Sequence, residues 1–328
     1  MKVLITGGAG FIGLHLSNLL LSQGAEVTLA DNLSRGIKDP DLEETLQHPS
    51  ASFVELDVLD LEAVMKLPKD YDIIVHFAAI IGVQFVLKRP YDVLNLNQVL
   101  LHNMIEFGRA QQDLKRFVFA STSEIYAGTL RHGSLTIPTP ESSHLVLPPL
   151  EEARTSYMLS KIYGEAMCHH SGLPFTIVRP HNVYGPRMGL SHVIPELFQK
   201  IYNANEGDDI EVFSPEHTRT FCYVEDAIQL TTHLMTKEEG LNKAFNIGNG
   251  SPEIKIIDLV NVLVDVVGKK VNIVRGETTP GSPARRCPNM EYTIKASGYT
   301  PSISLEEGAK RTFAWYKPIY DGQKVSAK

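Results

Sequence analysis

The segment Tyr157-Met158-Leu159-Ser160-Lys161 sets a phenol and an ammonium four residues apart, which on a helix puts both on one face, one turn from each other. A free phenol, with a pKa of ~10, is too weak an acid to serve as a base at neutral pH. A neighbouring positive charge favours the phenolate and makes it a candidate base for a substrate hydroxyl. The hydroxyl cluster Ser121-Thr122-Ser123 and the carboxylate of Glu124 precede this pair. Such spacing recurs by chance, so its meaning depends on what else the chain builds.

The second constellation is Gly7-Gly8-Ala9-Gly10-Phe11-Ile12-Gly13, placed between an apolar β-branched run and a helical pattern. Glycines there permit a tight turn and a close backbone approach, and the helix N-terminus then faces a pyrophosphate. Asp31 closes the second apolar run, where a carboxylate can grip an adenosine ribose diol and disfavour a 2′-phosphate. This reading selects NAD over NADP. Arg35 argues the other way, because a nearby arginine can accommodate that phosphate. Asp57, read as the end of the third strand, could meet the adenine amine or cap the following helix.

The elements that must position these groups follow from periodicity. Apolar runs at 3–6, 27–31, 53–57, 73–78, 116–121 and 175–179 alternate with helical patterns at 12–22, 59–67, 93–109 and 157–170. Such alternation predicts an α/β fold, a Rossmann-type doubly wound parallel sheet covered on both faces. Past Pro180 the pattern loosens, which predicts an NAD-binding domain over 1–179 and a smaller α/β substrate lobe over 180–328. A segment near 220–248 is expected to return to the first domain.

Composition narrows the function classes. The chain has 328 residues, 43% of them hydrophobic, with a net charge of −7 and no basic cluster, so nucleic acid is a poor partner. No run reaches the ~18 apolar residues of a membrane span. Three cysteines, Cys168, Cys222 and Cys287, lie far apart, which argues against a disulfide framework or a metal site and fits a cytoplasmic protein. Trp315 is read as a packing residue.

With these motifs in order, the chain resembles the extended short-chain dehydrogenase/reductases, specifically the nucleotide-sugar epimerases, dehydratases and decarboxylases. The matching pieces are the glycine run, Asp31-Asn32-Leu33-Ser34, His76-Phe77-Ala78-Ala79, Asn97, Ser121-Thr122-Ser123-Glu124, Tyr157 with Lys161, Arg179-Pro180-His181-Asn182-Val183-Tyr184-Gly185-Pro186-Arg187, and Arg219-Thr220-Phe221. The resemblance implies NAD contacts from Gly7, Gly10, Phe11, Ile12 and Gly13, from Asp31, Asn32, Ser34 and Arg35, from Asp57 and Val58, from Phe77, Ala78 and Ala79, and from Tyr157, Lys161 and Pro180. Thr122, Tyr157 and Lys161 would be catalytic, with Ser123 and Glu124 beside them. Asn97 would brace the active-site helix. Asn182, Arg219, Arg285 and Arg286 would bind a nucleotide-diphosphate sugar, and a homodimer would form through 93–109 and 157–170.

Members of this group share a first step, oxidation of the sugar at C4 to a ketone with NAD recycled. Dehydratases usually carry an acid where this chain has Ser123, and plain 4-epimerases usually lack an acid where it has Glu124. Thr122-Ser123-Glu124 resembles members that act on UDP-glucuronate and lose carbon dioxide, and Arg154 matches the same subgroup. Ala79-Ile80-Ile81-Gly82-Val83 resembles instead the loop of hexuronate 4-epimerases and of some bacterial decarboxylase-like proteins. The expected function is thus decarboxylation of a UDP-hexuronate, with 4-epimerisation and then 4,6-dehydration as alternatives, and a redox-inert NAD-binding regulator as the non-enzymatic one.

Overall fold

The computed structural model describes residues 1–278 and 283–322. Seven strands form the central sheet: β1 Lys2–Thr6, β2 Glu26–Asp31, β3 Ala51–Glu55, β4 Ile73–His76, β5 Arg116–Ala120, β6 Phe175–Pro180 and β7 Lys243–Ile247. Their spatial order is β7-β6-β5-β4-β1-β2-β3, all parallel. The order reverses between β1 and β4, which opens a crevice at their carboxyl ends where α/β sheets hold ligands. β1 and β4 are nearly all buried because helices cover both faces. β3 stops at Glu55, so Asp57 lies two residues beyond the strand rather than ending it. There its Oδ1 accepts from the Leu59 N–H at 3.0 Å, and the helix Leu61–Met65 is capped by Asp60 instead.

The stretch after Pro180 supplies elements to both ends of the molecule. The helix Val224–Thr236 packs against the helix Phe11–Ser22, and β7 pairs with β6, Phe245 opposite Val178. One apolar core runs from Val3 and Ile5 through Val224, Leu230 and Phe245 to Leu259 and Tyr316. The remainder builds small sheets: Asp209–Val212 beside Asn272–Arg275, Val183–Tyr184 beside Cys222–Tyr223, and Thr218–Arg219 between Ile254–Lys255 and Arg285–Arg286. The last long helix, Leu305–Tyr320, begins at Ser304, whose hydroxyl accepts from the Glu307 N–H. Among the described residues no helix is long and apolar enough to cross a membrane. Cys168, Cys222 and Cys287 are free and buried.

Two buried histidines give the fold a signature in acid. Burial pushes His76, set against Phe117 and Phe119, down to about 3, and the positive charge of Lys161 adds to this. Burial also takes His181 to about 3, with Arg286 and Arg179 lowering it and its bond to Asn246 opposing. Both folded-state values lie below the unfolded one, so the unfolded chain binds more protons at acid pH. Their contribution to stability is present above pH ~6.5 and falls as the pH drops towards about 3, by ~1.4 kcal/mol per histidine per pH unit at most. Urea unfolding at pH 7, 6 and 5 measures this slope. A His181→Phe variant with the wild-type slope would show that His181 contributes none of it.

Candidate active site

A cavity of about 630 Å3 opens at the carboxyl ends of the strands, and every residue named above for the cofactor lines it, with Thr122. Gly7 has φ 72°, a left-handed turn, and a β-carbon on it would lie 2.9 Å from the Ala78 nitrogen. A β-carbon on Gly13 would lie 2.2 Å from the Gly7 oxygen. The helix Phe11–Ser22 starts at Gly10 with no side-chain cap and no acid in its first turn. Its N-terminal N–H groups and positive dipole end are therefore available to an anion. A pyrophosphate fits this cradle, whose shape depends on backbone packing that side chains at Gly7 or Gly13 would break.

Asp31 is buried at the end of β2. Its two oxygens accept from the N–H groups of Ala9, at 3.1 Å, and Leu33, at 2.8 Å. Burial raises its pKa, and those bonds oppose the rise. The turn-capping and ribose-gripping roles are compatible, since each carboxylate oxygen keeps a second lone pair. Arg35 crosses the cavity mouth, where its Nη1 donates to the carbonyl of Ile81 at 2.9 Å.

Behind the cavity, the helix Ala153–His170 carries Tyr157 and Lys161. Asn97 ties this helix to the loop after β4: its Oδ1 accepts from the Ile80 N–H at 2.8 Å, and its Nδ2 reaches Ser160 Oγ at 3.3 Å. Thr122 lies just past β5, beside the Tyr157 phenol. Burial raises the Tyr157 phenol above its ordinary value and Glu124 adds to this, while Thr122 and the charge of Arg35 lower it.

Helical spacing alone would make Lys161 the cation acting on the phenol. In the structure Lys161 Nζ instead donates to the Ala120 carbonyl at 2.8 Å and lies 5.9 Å from the Tyr157 ring centre. The lysine stem is long enough to reach the end of β5, and burial there lowers its pKa to about 8.

The residues expected to meet the substrate form a second group beside the cavity. Arg219 and Arg286 are register partners on adjacent short strands, and Arg286 Nη2 donates to Glu124 Oε1 at 2.7 Å. Arg286, Arg154 and Arg219 all lower the Glu124 pKa, Arg286 most, against burial. Arg219 is itself lowered to about 10, by burial and then by Arg286. Asn182, at φ 42°, donates to the Thr220 carbonyl at 2.9 Å, next to Arg219. Ser123 is buried. Arg285 does not join Glu124; its guanidinium forks onto Glu253, Nε to Oε1 and Nη2 to Oε2, both at 2.7 Å, because neighbouring side chains on a strand point to opposite faces.

Arg187 and His192 also line the cavity and Glu165 ties Ser121 to Arg179 beneath it, roles that the motif spacing does not assign. Arg187 closes the quoted motif, so a signal was present, but its partner Asp39 lies 148 residues away.

The sequence profile of the NAD dependent epimerase/dehydratase family matches residues 3–248. The chain is 31% identical over 332 residues to the UDP-N-acetyl-alpha-D-glucosaminuronate decarboxylase of Bacillus cytotoxicus, covering 97% of this chain and 98% of that protein. It is 31% identical over 316 residues to UDP-glucuronic acid decarboxylase 5 of Arabidopsis thaliana, covering 94% and 87%. The crystal structure of UDP-glucuronic acid 4-epimerase from Bacillus cereus in complex with NAD superposes with a TM-score of 0.81 at 25% identity, covering 98% of this chain and all of that one.

Proposed function

This chain belongs to the NAD dependent epimerase/dehydratase family, and on that premise we propose that it decarboxylates a UDP-hexuronate through a transient 4-keto sugar. The observation that carries this reading is the charge around Glu124. Among the described residues, four guanidiniums, those of Arg154, Arg219, Arg285 and Arg286, stand near two carboxylates, Glu124 and Glu253. A diphosphate takes up part of that excess, and a carboxylate on the sugar takes up more; a neutral hexose offers no such group. Two bacterial and plant relatives that act on acid sugars support the same choice.

Each residue then has a task. Thr122 holds the sugar hydroxyl and passes its proton to Tyr157, which later returns it. The glycine turn, Asp31 and Lys161 would hold NAD, which would supply a reversible hydride acceptor for C4 and a positive charge that favours the phenolate. Lys161 would turn from Ala120 to the cofactor ribose. As carbon dioxide leaves C5, the electron pair of the broken bond moves into the 4-ketone as an enolate, and C5 then regains a proton. Glu124, kept ionised by its arginines, suits positioning better than proton donation. Ser123 offers no acid to expel a C6 hydroxyl, which ranks 4,6-dehydration last.

The second reading is 4-epimerisation of the same acid sugar, supported by the likeness to the Bacillus cereus enzyme. Tyr91 and Tyr163, exposed on the helices Pro90–Arg109 and Ala153–His170, support a homodimer through that face. A cytoplasmic location rests on cysteine usage and composition.

Incubation with UDP-glucuronate and its N-acetylglucosamine counterpart, read by mass spectrometry, should show loss of one carbon dioxide. An unchanged mass with a new NMR spectrum would replace decarboxylation with epimerisation. Conversion of neutral sugars alone would overturn the acid-sugar reading.

A further inference from the structure

Arg187 and Asp39 form an ion pair with side chains only 3% and 2% exposed. Arg187 Nε donates to Asp39 Oδ2 at 2.7 Å and Nη2 to Oδ1 at 3.0 Å. The same guanidinium reaches the carbonyls of Gly10 and Ile37, both at 3.3 Å. Gly10 begins the helix whose N-terminus faces the cofactor, and Arg187 lines that cavity. Arg187 is held at φ 66°, a left-handed conformation unfavourable for a residue with a side chain. Neighbouring contacts fasten the same junction: Trp315 Nε1 donates to Asp41 Oδ2 at 2.7 Å, and the Tyr316 hydroxyl to the Met188 carbonyl.

The other end of this segment is the expected substrate site. Five residues before Arg187, Asn182 donates to Thr220 beside Arg219 and accepts from the Cys222 N–H through its carbonyl. Val183–Tyr184 then pairs with Cys222–Tyr223. A short stretch of fixed backbone thus runs from the proposed diphosphate contacts to the glycine turn, ending in a buried fork that cannot shift without dragging Gly10 or losing its partner.

We infer that Arg187 and Asp39 are positioning residues that couple occupancy of the nucleotide-sugar site to retention of NAD. The inference rests on the proposed placement of the diphosphate at Asn182 and Arg219 and of NAD at the glycine turn. Such coupling serves an enzyme that recycles its cofactor, since NAD would be held tightest when reduction would strand it.

The test uses protein purified with its NAD. Exchange of bound NAD against isotopically labelled NAD is followed by mass spectrometry with and without UDP, whose binding is measured by calorimetry. In the wild type UDP slows exchange about fivefold or more. In the double variant Arg187→Gln/Asp39→Asn, which leaves no lone buried charge, UDP still binds but no longer changes the exchange rate. Arg187→Lys, which keeps the charge and loses the fork, gives an intermediate ratio and serves if the double variant does not fold. Either variant retaining the wild-type ratio, with or without a lower melting temperature, overturns the coupling and leaves the pair purely structural. UDP that fails to bind the wild type overturns the nucleotide-sugar reading and the coupling with it. Unchanged NAD content in Gly13→Ala overturns the placement of NAD at the turn.

Discussion

Replacing Tyr157 with phenylalanine should lower turnover by about 10²–10⁴-fold while NAD stays bound. The ring is half-buried on the helix Ala153–His170, and phenylalanine keeps its packing. What disappears is the phenol oxygen on which the proposed proton transfer from the sugar hydroxyl, by way of Thr122, depends. Burial and the charge of Glu124 hold that phenol protonated in the cofactor-free protein, so its use as a base depends on positive charge brought close to it. Arg35 supplies some of that charge, and Thr122 also favours the phenolate. The measurement is a single-turnover assay alongside quantification of NAD released by heat. Undiminished turnover would remove Tyr157 from the mechanism; loss of NAD would make it a binding residue first.

The second large effect is on stability. Arg179→Met should reduce the free energy of unfolding by about 3–5 kcal/mol, because it strands Glu165 in the interior. Glu165 accepts from Ser121 Oγ at 2.5 Å and from Arg179 at 2.9 and 2.6 Å, and both side chains of the pair are 8% exposed. Arg179 also donates to the Tyr126 hydroxyl at 2.8 Å, which in turn donates to Asn246 on β7. Tyr126 is pushed up to about 12, chiefly by burial. This network joins β6, β7 and the helix Ala153–His170 directly under the cavity. Replacing both partners, Arg179→Met with Glu165→Met, should cost less than Arg179→Met alone, since no charge is left unpaired. Chemical denaturation of the wild type, Arg179→Met, Glu165→Met and the double variant decides the matter: a double variant as unstable as the sum of the single ones would mean that the two side chains act independently.

Much of the fold was legible because parallel strands buried on both faces must be apolar throughout, and the helices between them must show a 3.6-residue period. β1, β2, β5 and β6 fall within a residue or two of the runs in the chain. The short strands after Pro180 were not legible. Two-residue strands such as Thr218–Arg219 carry no periodicity, and their partners lie far along the chain.

The site divides along the same line. By itself the sequence determined the glycine turn, Asp31 and the Tyr157–Lys161 face, since each is a local device in which backbone geometry translates spacing directly into position. Only the tertiary structure decided where the long side chains point. Lys161 turned to Ala120, Arg35 crossed to Ile81, Arg286 took Glu124 while Arg285 took Glu253, and Arg187 found Asp39. The physical reason is reach: a lysine or arginine head lies several bonds from its backbone, so its partner is chosen by the nearest unpaired carboxylate or carbonyl in three dimensions, and the order of residues along the chain does not record which one that is.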